Sequence, residues 1–323
     1  MNEMDRRNVL RGAAGVAGAL AGAWATPGIA SAGGRRRDDR RAPTLIFIHG
    51  THSSSVLGSG LISELTLRGY RAVGLDMPGH GREGFFPRSY QAPQDLAALA
   101  TEPSPLAGFT IDDYIERAVD VVRRARRHGP VILAGASQGG VTVSRVGNAV
   151  PELIDRVVYV AAYCCVELPS MAAYLETPEN GTSLVPEVVA AQVGDPAVLG
   201  VTRINWRSAD PSVFLAVKRC LAGDFSDPAV SRLLNMLEPD ETARIPLSEG
   251  RGRARTWGSI PRTYVRFSHD RVIPLALQDR FINEADRLTP GNLTDVRTVA
   301  APHVGPFERP EVIRIFEDLL TAR

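Results

Sequence analysis

Apolar positions along the chain fall into two alternating rhythms. Short runs of consecutive apolar residues occur at "PTLIFIHG" (43–50), "RAVGLDMPGHG" (71–81), "PVILAGAS" (130–137) and "RVVYVAAYC" (156–164). Two more follow at "RTYVRFSHD" (262–270) and "TDVRTVAA" (294–301). Runs of that length, bounded by Pro, Gly or Asp, read as strands, and those apolar throughout must be buried on both faces. Between them lie stretches with helical spacing: "GLISELTLRGY" (60–70), 110–129, about Gln138 to Val150, "LALQDRFINEADRL" (275–288) and "RPEVIRIFEDLLTA" (309–322). The 110–129 helix carries Thr110 as N-cap, acids in its first turn, arginines in its last, and Gly129 as stop. Strands alternating with amphipathic helices predict an α/β fold, a mostly parallel sheet covered on both faces.

The rhythm breaks over 167–258. That segment is rich in Pro, Asp and Ser, with helical stretches such as "PSVFLAVKRCL" and "PAVSRLLNML" and no clear strands. It reads as a helical cap inserted over the carboxyl edge of a sheet built from 42–166 and 259–323, the edge where such folds bind ligands. No internal repeat is visible.

The amino-terminal 32 residues have a different character. Arg6-Arg7, a weakly apolar Gly/Ala-rich run and Ala30-Ser31-Ala32 form the three regions of an export signal, and the paired arginines resemble the twin-arginine type. The run is too short and too lightly hydrophobic for a membrane span. We therefore expect cleavage after Ala32, a disordered leader over 33–41, an exported protein and no stable membrane insertion after removal. A net charge of +1 makes no case for nucleic acid. Cys164, Cys165 and Cys220 are too few and too irregular for a disulfide framework and read as buried thiols, with a bridge from Cys220 to one of the pair left open.

Candidate chemistry centres on "GASQGG". A strand ending in Gly135-Ala136-Ser137-Gln138-Gly139, with a helix following at once, is the pattern of a nucleophile elbow. Small flanks let strand and helix approach while the serine takes a strained turn. A serine hydroxyl needs a base, and the base needs an orienting partner. Of six histidines, His303 lies in the loop between the last strand and the last helix, where it can reach the top of the sheet. His49, His52 and His80 sit in "HGTH" and "PGHG", where they read as turn-shaping, and His128 ends a helix. His269 adjoins the acid candidate on the opposite strand face. Asp270 follows the penultimate strand and is the leading orienting acid; Glu167 is the alternative. An oxyanion would take the backbone N–H of Gln138 and that of Thr51, or else of His52.

"FIHGTH", "LDMPGHG", "GASQGG", "RTYVRFSHDRVIP" and "PHVGPFERP" together resemble the α/β-hydrolase superfamily, in its methylesterase-like and hydroxynitrile-lyase-like branch. The resemblance covers about 42–166 and 259–323. It implies Ser137 as nucleophile, His303 as base, Asp270 as its partner, and Thr51 and Gln138 as oxyanion donors. Two departures stand out: "THSSSVLGSG" replaces the Gly and Trp that many relatives carry after "HG", and Val304 replaces the Lys that follows the histidine in such lyases.

The leading expectation is a serine hydrolase acting on small or hydrophobic carboxylic esters, with a lactonase on a macrocyclic or aromatic lactone as the alternative. A hydroxynitrile lyase and a non-catalytic ligand receptor are the other classes. His52, Trp206 and Phe214 are the candidate pocket residues. No metal or cofactor is implied, since there is no clustered His/Cys spacing, and serine stands where a phosphate-binding loop would want Lys.

Overall fold

The computed structural model describes residues 42–322; the expected signal and leader, 1–41, lie outside the described residues. Eight strands run in chain order: β1 Thr44–Ile48, β2 Arg71–Leu75, β3 Val131–Ser137, β4 Arg156–Ala162, β5 Val201–Arg203, β6 Asp240–Thr242, β7 Arg262–Phe267 and β8 Asp295–Val299. The longer helices are α1 Ser59–Leu67, α2 Ile111–Arg126, α3 Gly139–Ala149, α4 Pro211–Leu221, α5 Asp227–Met236, α6 Leu275–Leu288 and α7 Pro310–Thr321. Six strands form one sheet in the order β2-β1-β3-β4-β7-β8, every neighbouring pair parallel.

The apolar runs are explained by burial on both sides. In β1, Ile46 and Ile48 face a core shared with α2, α3 and α6, whereas Leu45 and Phe47 face one shared with α1 and α7. Successive strand residues point to opposite faces, so a strand between two helical layers has no polar positions to spare. At the amino end of α2, the Asp113 carboxylate accepts both the Thr110 N–H (2.8 Å) and its hydroxyl (2.7 Å), which satisfies an otherwise orphaned donor.

Strand order places the site. β2 lies on one side of β1 and β3 on the other, so the chain reverses its direction of winding at β1. Loops leaving β1 and β3 then diverge and open a crevice at the carboxyl edge, the usual ligand position in such sheets. The turn out of β3 is strained: Ser137 has φ 53°, in the left-handed region where non-glycine residues are uncommon. Its neighbour β4 bulges there, pairing Ser137 with Ala162 and leaving out Ala161. Gly139 allows the following helix to pack close, since a Cβ on it would lie 2.5 Å from the His49 carbonyl oxygen.

The insertion is helical where expected, with α4 matching "PSVFLAVKRCL", but it is not strand-free. β5 and β6 pair antiparallel, with Val201 opposite Thr242 and Arg203 opposite Asp240. Three-residue strands are too short to produce a period-2 signal, and this ribbon is held by side chains. Arg203 and Asp240, both fully buried, make a bidentate pair at 2.6 and 2.7 Å, and the guanidinium also donates to the carbonyls of Leu99 and Glu102. Past the ribbon the chain returns to the main core, where Ile245 and Trp257 are buried. All three cysteines are buried and free, so Cys220 forms no bridge. Burial pushes the Cys164 and Cys220 thiols up to about 12.

Candidate active site

Three carboxyl-edge loops converge. Ser137 ends β3, Asp270 follows β7 and His303 follows β8. Beyond the strand ends, Ser268 N–H donates to the Val299 carbonyl (3.0 Å) and His269 N–H to that of Ala301 (3.2 Å), which binds the second and third loops together. His303 Nδ1 meets Asp270 Oδ2 at 2.7 Å, with both side chains buried. The other carboxylate oxygen, Oδ1, accepts the N–H groups of Val272 (2.7 Å) and Ile273 (2.9 Å). Asp270 therefore also caps the turn leading to α6. Its orientation is set from both ends, and so is that of the imidazole.

Ser137 and His303 stand on the wall of one cavity of about 440 Å³. There is no hydrogen bond between them, and His303 Nε2 has no partner among the described residues. Such contacts commonly close only when substrate is bound. Gly50 brings the loop after β1 against Ser137: a Cβ there would lie 2.8 Å from Ser137 Cβ and 3.4 Å from its Oγ. The N–H groups of Thr51 and Gln138 have no acceptor among the described residues. His52, the alternative donor, has its N–H committed to Glu241 Oε2 at 3.0 Å.

The cavity walls are mostly aliphatic, with Leu175, Val185, Val188, Leu221, Val272 and Val304 among them. Trp206 and His52 also line it, their rings edge to face at 5.3 Å. Phe214 is not on the wall; it packs with the cap's own apolar cluster. Glu167 is exposed and pairs with Arg287 at 2.7 Å, whereas His303 pairs with Asp270. His128 and His269 are exposed.

The histidines expected to shape turns do so and more. Beneath the loop after β1 lies a buried polar cluster that sequence reasoning missed. His80 Nδ1 donates to Glu238 Oε2 at 2.8 Å, and Nε2 donates to the Tyr114 hydroxyl at 3.0 Å with Glu241 Oε1 at 3.6 Å. Burial would depress His80, but the Glu241 and Glu238 carboxylates overcome it and hold the imidazole up at about 10. For Glu241, burial opposes ionisation, yet His80 and then the His52 N–H bring the carboxyl down to about 2. His49 goes the other way, to about 4, through burial and the neighbouring His80. It donates from Nδ1 to the Gly50 carbonyl and accepts the Met77 N–H at Nε2, as a neutral ring can.

A strained serine at a strand–helix turn, a buried acid–imidazole pair and free N–H groups beside the serine define a hydrolase of the nucleophile-elbow class. Residues 45–314 match the alpha/beta hydrolase family, and the chain belongs to it. A pyrethroid hydrolase of Sphingobium wenxiniae is 22% identical over 269 residues, covering 83% of each chain. Among solved structures, a pyrethroid hydrolase from Sphingobium faniae JZ-2 superposes with a TM-score of 0.64 at 19% identity, covering 87% of this chain and 98% of its own. Polyneuridine aldehyde esterase superposes at 0.63 with 17% identity, covering 86% and 99%. These likenesses share the fold seen here.

Proposed function

We propose that this carboxylic ester hydrolase works through an acyl-enzyme on Ser137 and takes bulky hydrophobic esters. Ser137 Oγ attacks the ester carbonyl while its proton passes to His303 Nε2. The negative charge that develops on the carbonyl oxygen is received by the N–H groups of Thr51 and Gln138. Collapse expels the alcohol, protonated by His303. Water then enters, gives its proton to the same nitrogen and releases the acid, restoring the serine. Asp270 keeps the ring in the tautomer with Nδ1–H and stabilises the imidazolium formed in each half.

The observation that carries this reading is the buried Asp270–His303 pair facing an apolar cavity that also exposes Ser137. Aliphatic walls favour an ester with a large apolar acyl or alcohol group over a short polar one. The pyrethroid hydrolase relative supports trying esters of pyrethroid type first. The test is turnover of p-nitrophenyl butyrate and of a pyrethroid ester by residues 33–323, beside Ser137→Ala. Both esters should be cleaved, and the substitution should reduce kcat on the order of 10⁴-fold or more. An Ala variant close to wild type, or cyanide release from mandelonitrile with no ester cleavage, would overturn the reading. A preference for aromatic lactones over open esters would transfer the substrate class to the lactones. The Arg6-Arg7 motif further supports export of the folded chain.

A further inference from the structure

The cap holds the loop that carries the Thr51 N–H. His52 follows Thr51 directly and has φ 54°, a conformation a side-chain-bearing residue keeps only if its surroundings enforce it. Three of its atoms are gripped by one short segment of the insertion. Its N–H donates to Glu241 Oε2 (3.0 Å), its carbonyl accepts the Glu238 N–H (2.9 Å), and its Nδ1 pairs with the Glu238 carbonyl (3.1 Å). Alternation along β6 turns Glu241 away from Asp240, which is tied to Arg203. The grip therefore rests on an anchored ribbon. Behind it, His80 and Tyr114 both address Glu241 Oε1. The two oxygens of Glu241 thus face donors on opposite sides, one side being the loop and the other the core.

We infer that Glu241 is a positioning residue: by holding the His52 N–H it fixes the Thr51 N–H where the oxyanion forms, so the oxyanion site is complete only with the cap ribbon seated. This rests on the reading of Ser137 as nucleophile and Thr51 as donor. No part of Glu241 needs to touch the reacting atoms, and both its oxygens are already engaged.

Glu241→Gln tests it. An amide has one acceptor, whereas the carboxylate serves donors on both sides. The amide oxygen stays with the charged His80 and Tyr114, so its NH₂ faces the His52 N–H and releases the loop. Complete loss of an oxyanion donor costs ~10²–10³ in kcat; a loosened one should cost about 10- to 100-fold, with KM for p-nitrophenyl butyrate within about threefold. An alkyl trifluoromethyl ketone, which adds the serine oxygen to form a hemiketal oxyanion, should lose affinity by the same factor as kcat/KM. A purely structural role would lower the melting temperature without that parallel. Should the Gln variant fail to fold, Glu241→Asp decides by the same readouts, since it keeps a charge opposite His80 and draws the oxygen back from His52. A folded variant with wild-type kcat and ketone affinity, or a loss confined to KM, overturns the inference. If Ser137→Ala is inactive in parallel, only the positioning role falls; if Ser137→Ala is active, the underlying reading falls first.

Discussion

Asp270→Asn separates charge from shape at the carboxylate behind His303. In the wild type, Oδ1 accepts two backbone N–H groups, from Val272 at 2.7 Å and Ile273 at 2.9 Å, while Oδ2 accepts Nδ1–H at 2.7 Å. Turning the amide nitrogen toward the backbone would set it against two donors at once. The amide oxygen therefore stays with the turn, the loop keeps its form, and the NH₂ group faces His303. The imidazole must then accept at Nδ1, and its hydrogen moves to Nε2, the atom that takes the Ser137 proton in the proposed mechanism. The same tautomer fault in an unrelated serine hydrolase framework lowers kcat by ~10⁴. Here a fall of about 10³- to 10⁴-fold is expected, equivalent to roughly 4–5.5 kcal/mol at about 1.4 kcal/mol per decade. The assay is steady-state hydrolysis of p-nitrophenyl butyrate, with circular dichroism and thermal melting to show an intact fold. Glu167→Gln, whose parent side chain is half exposed and paired with Arg287, should remain near wild type. A folded Asp270→Asn enzyme keeping more than about a tenth of wild-type kcat would refute the reasoning. So would a large loss in Glu167→Gln, which would transfer the role to that acid.

The buried cluster makes stability depend on pH. His80 is held up from 6.5 to about 10, so its contribution is complete below about 6.5 and disappears as pH rises through about 10. Such a displacement corresponds to a few kcal/mol, on the order of 3–5. The wild-type urea midpoint should fall from pH 6.5 to 9.5, and His80→Gln should flatten that slope; an unchanged wild-type midpoint across this range argues against the charged cluster. For export, replacing Arg6 and Arg7 together by Lys should leave the full-length chain in the cytoplasm of a bacterium with a twin-arginine pathway. Fractionation and immunoblotting measure this, and continued export of the double variant would contradict a twin-arginine route.

The features legible in the sequence are those whose cause is local. Strands such as β1 and β3 announce themselves because burial on two faces removes polar residues from consecutive positions. The elbow announces itself because its strain demands small neighbours: the contact between Gly139 and the His49 carbonyl leaves no room for a Cβ. Asp270 and His303 could be placed because each follows a strand whose end lies at a known edge. The β5–β6 ribbon could not. Its strands are three residues each, and the bond that anchors it joins Arg203 to Asp240, two charged residues that in a linear reading suggest a solvated surface. The histidines of "HGTH" and "PGHG" read as parts of turns, and the turns exist. Nothing in either stretch reveals that the His80 ring and the His52 backbone N–H meet carboxylates supplied by "LEPDET", 189 positions beyond His52 in the case of Glu241.

That failure of local reading has a functional counterpart. One segment of the insertion supplies cavity wall through Leu237, Glu241 and Thr242, and the same segment grips His52. On the proposed function, the wall that selects a substrate and the loop offered to its oxyanion are therefore mechanically one piece. Here a change at Leu237 that reshapes the cavity is one residue from Glu238 and four from Glu241, so it acts on the oxyanion loop as well. Substitutions on α4, such as at Leu221, approach the cavity from another side. They should alter KM and ester preference with kcat for good substrates retained, whereas Leu237→Ala should lower kcat across acetate, butyrate and longer p-nitrophenyl esters alike. Equal behaviour of the two positions across that ester series would show that the cap bounds the pocket without governing the chemistry.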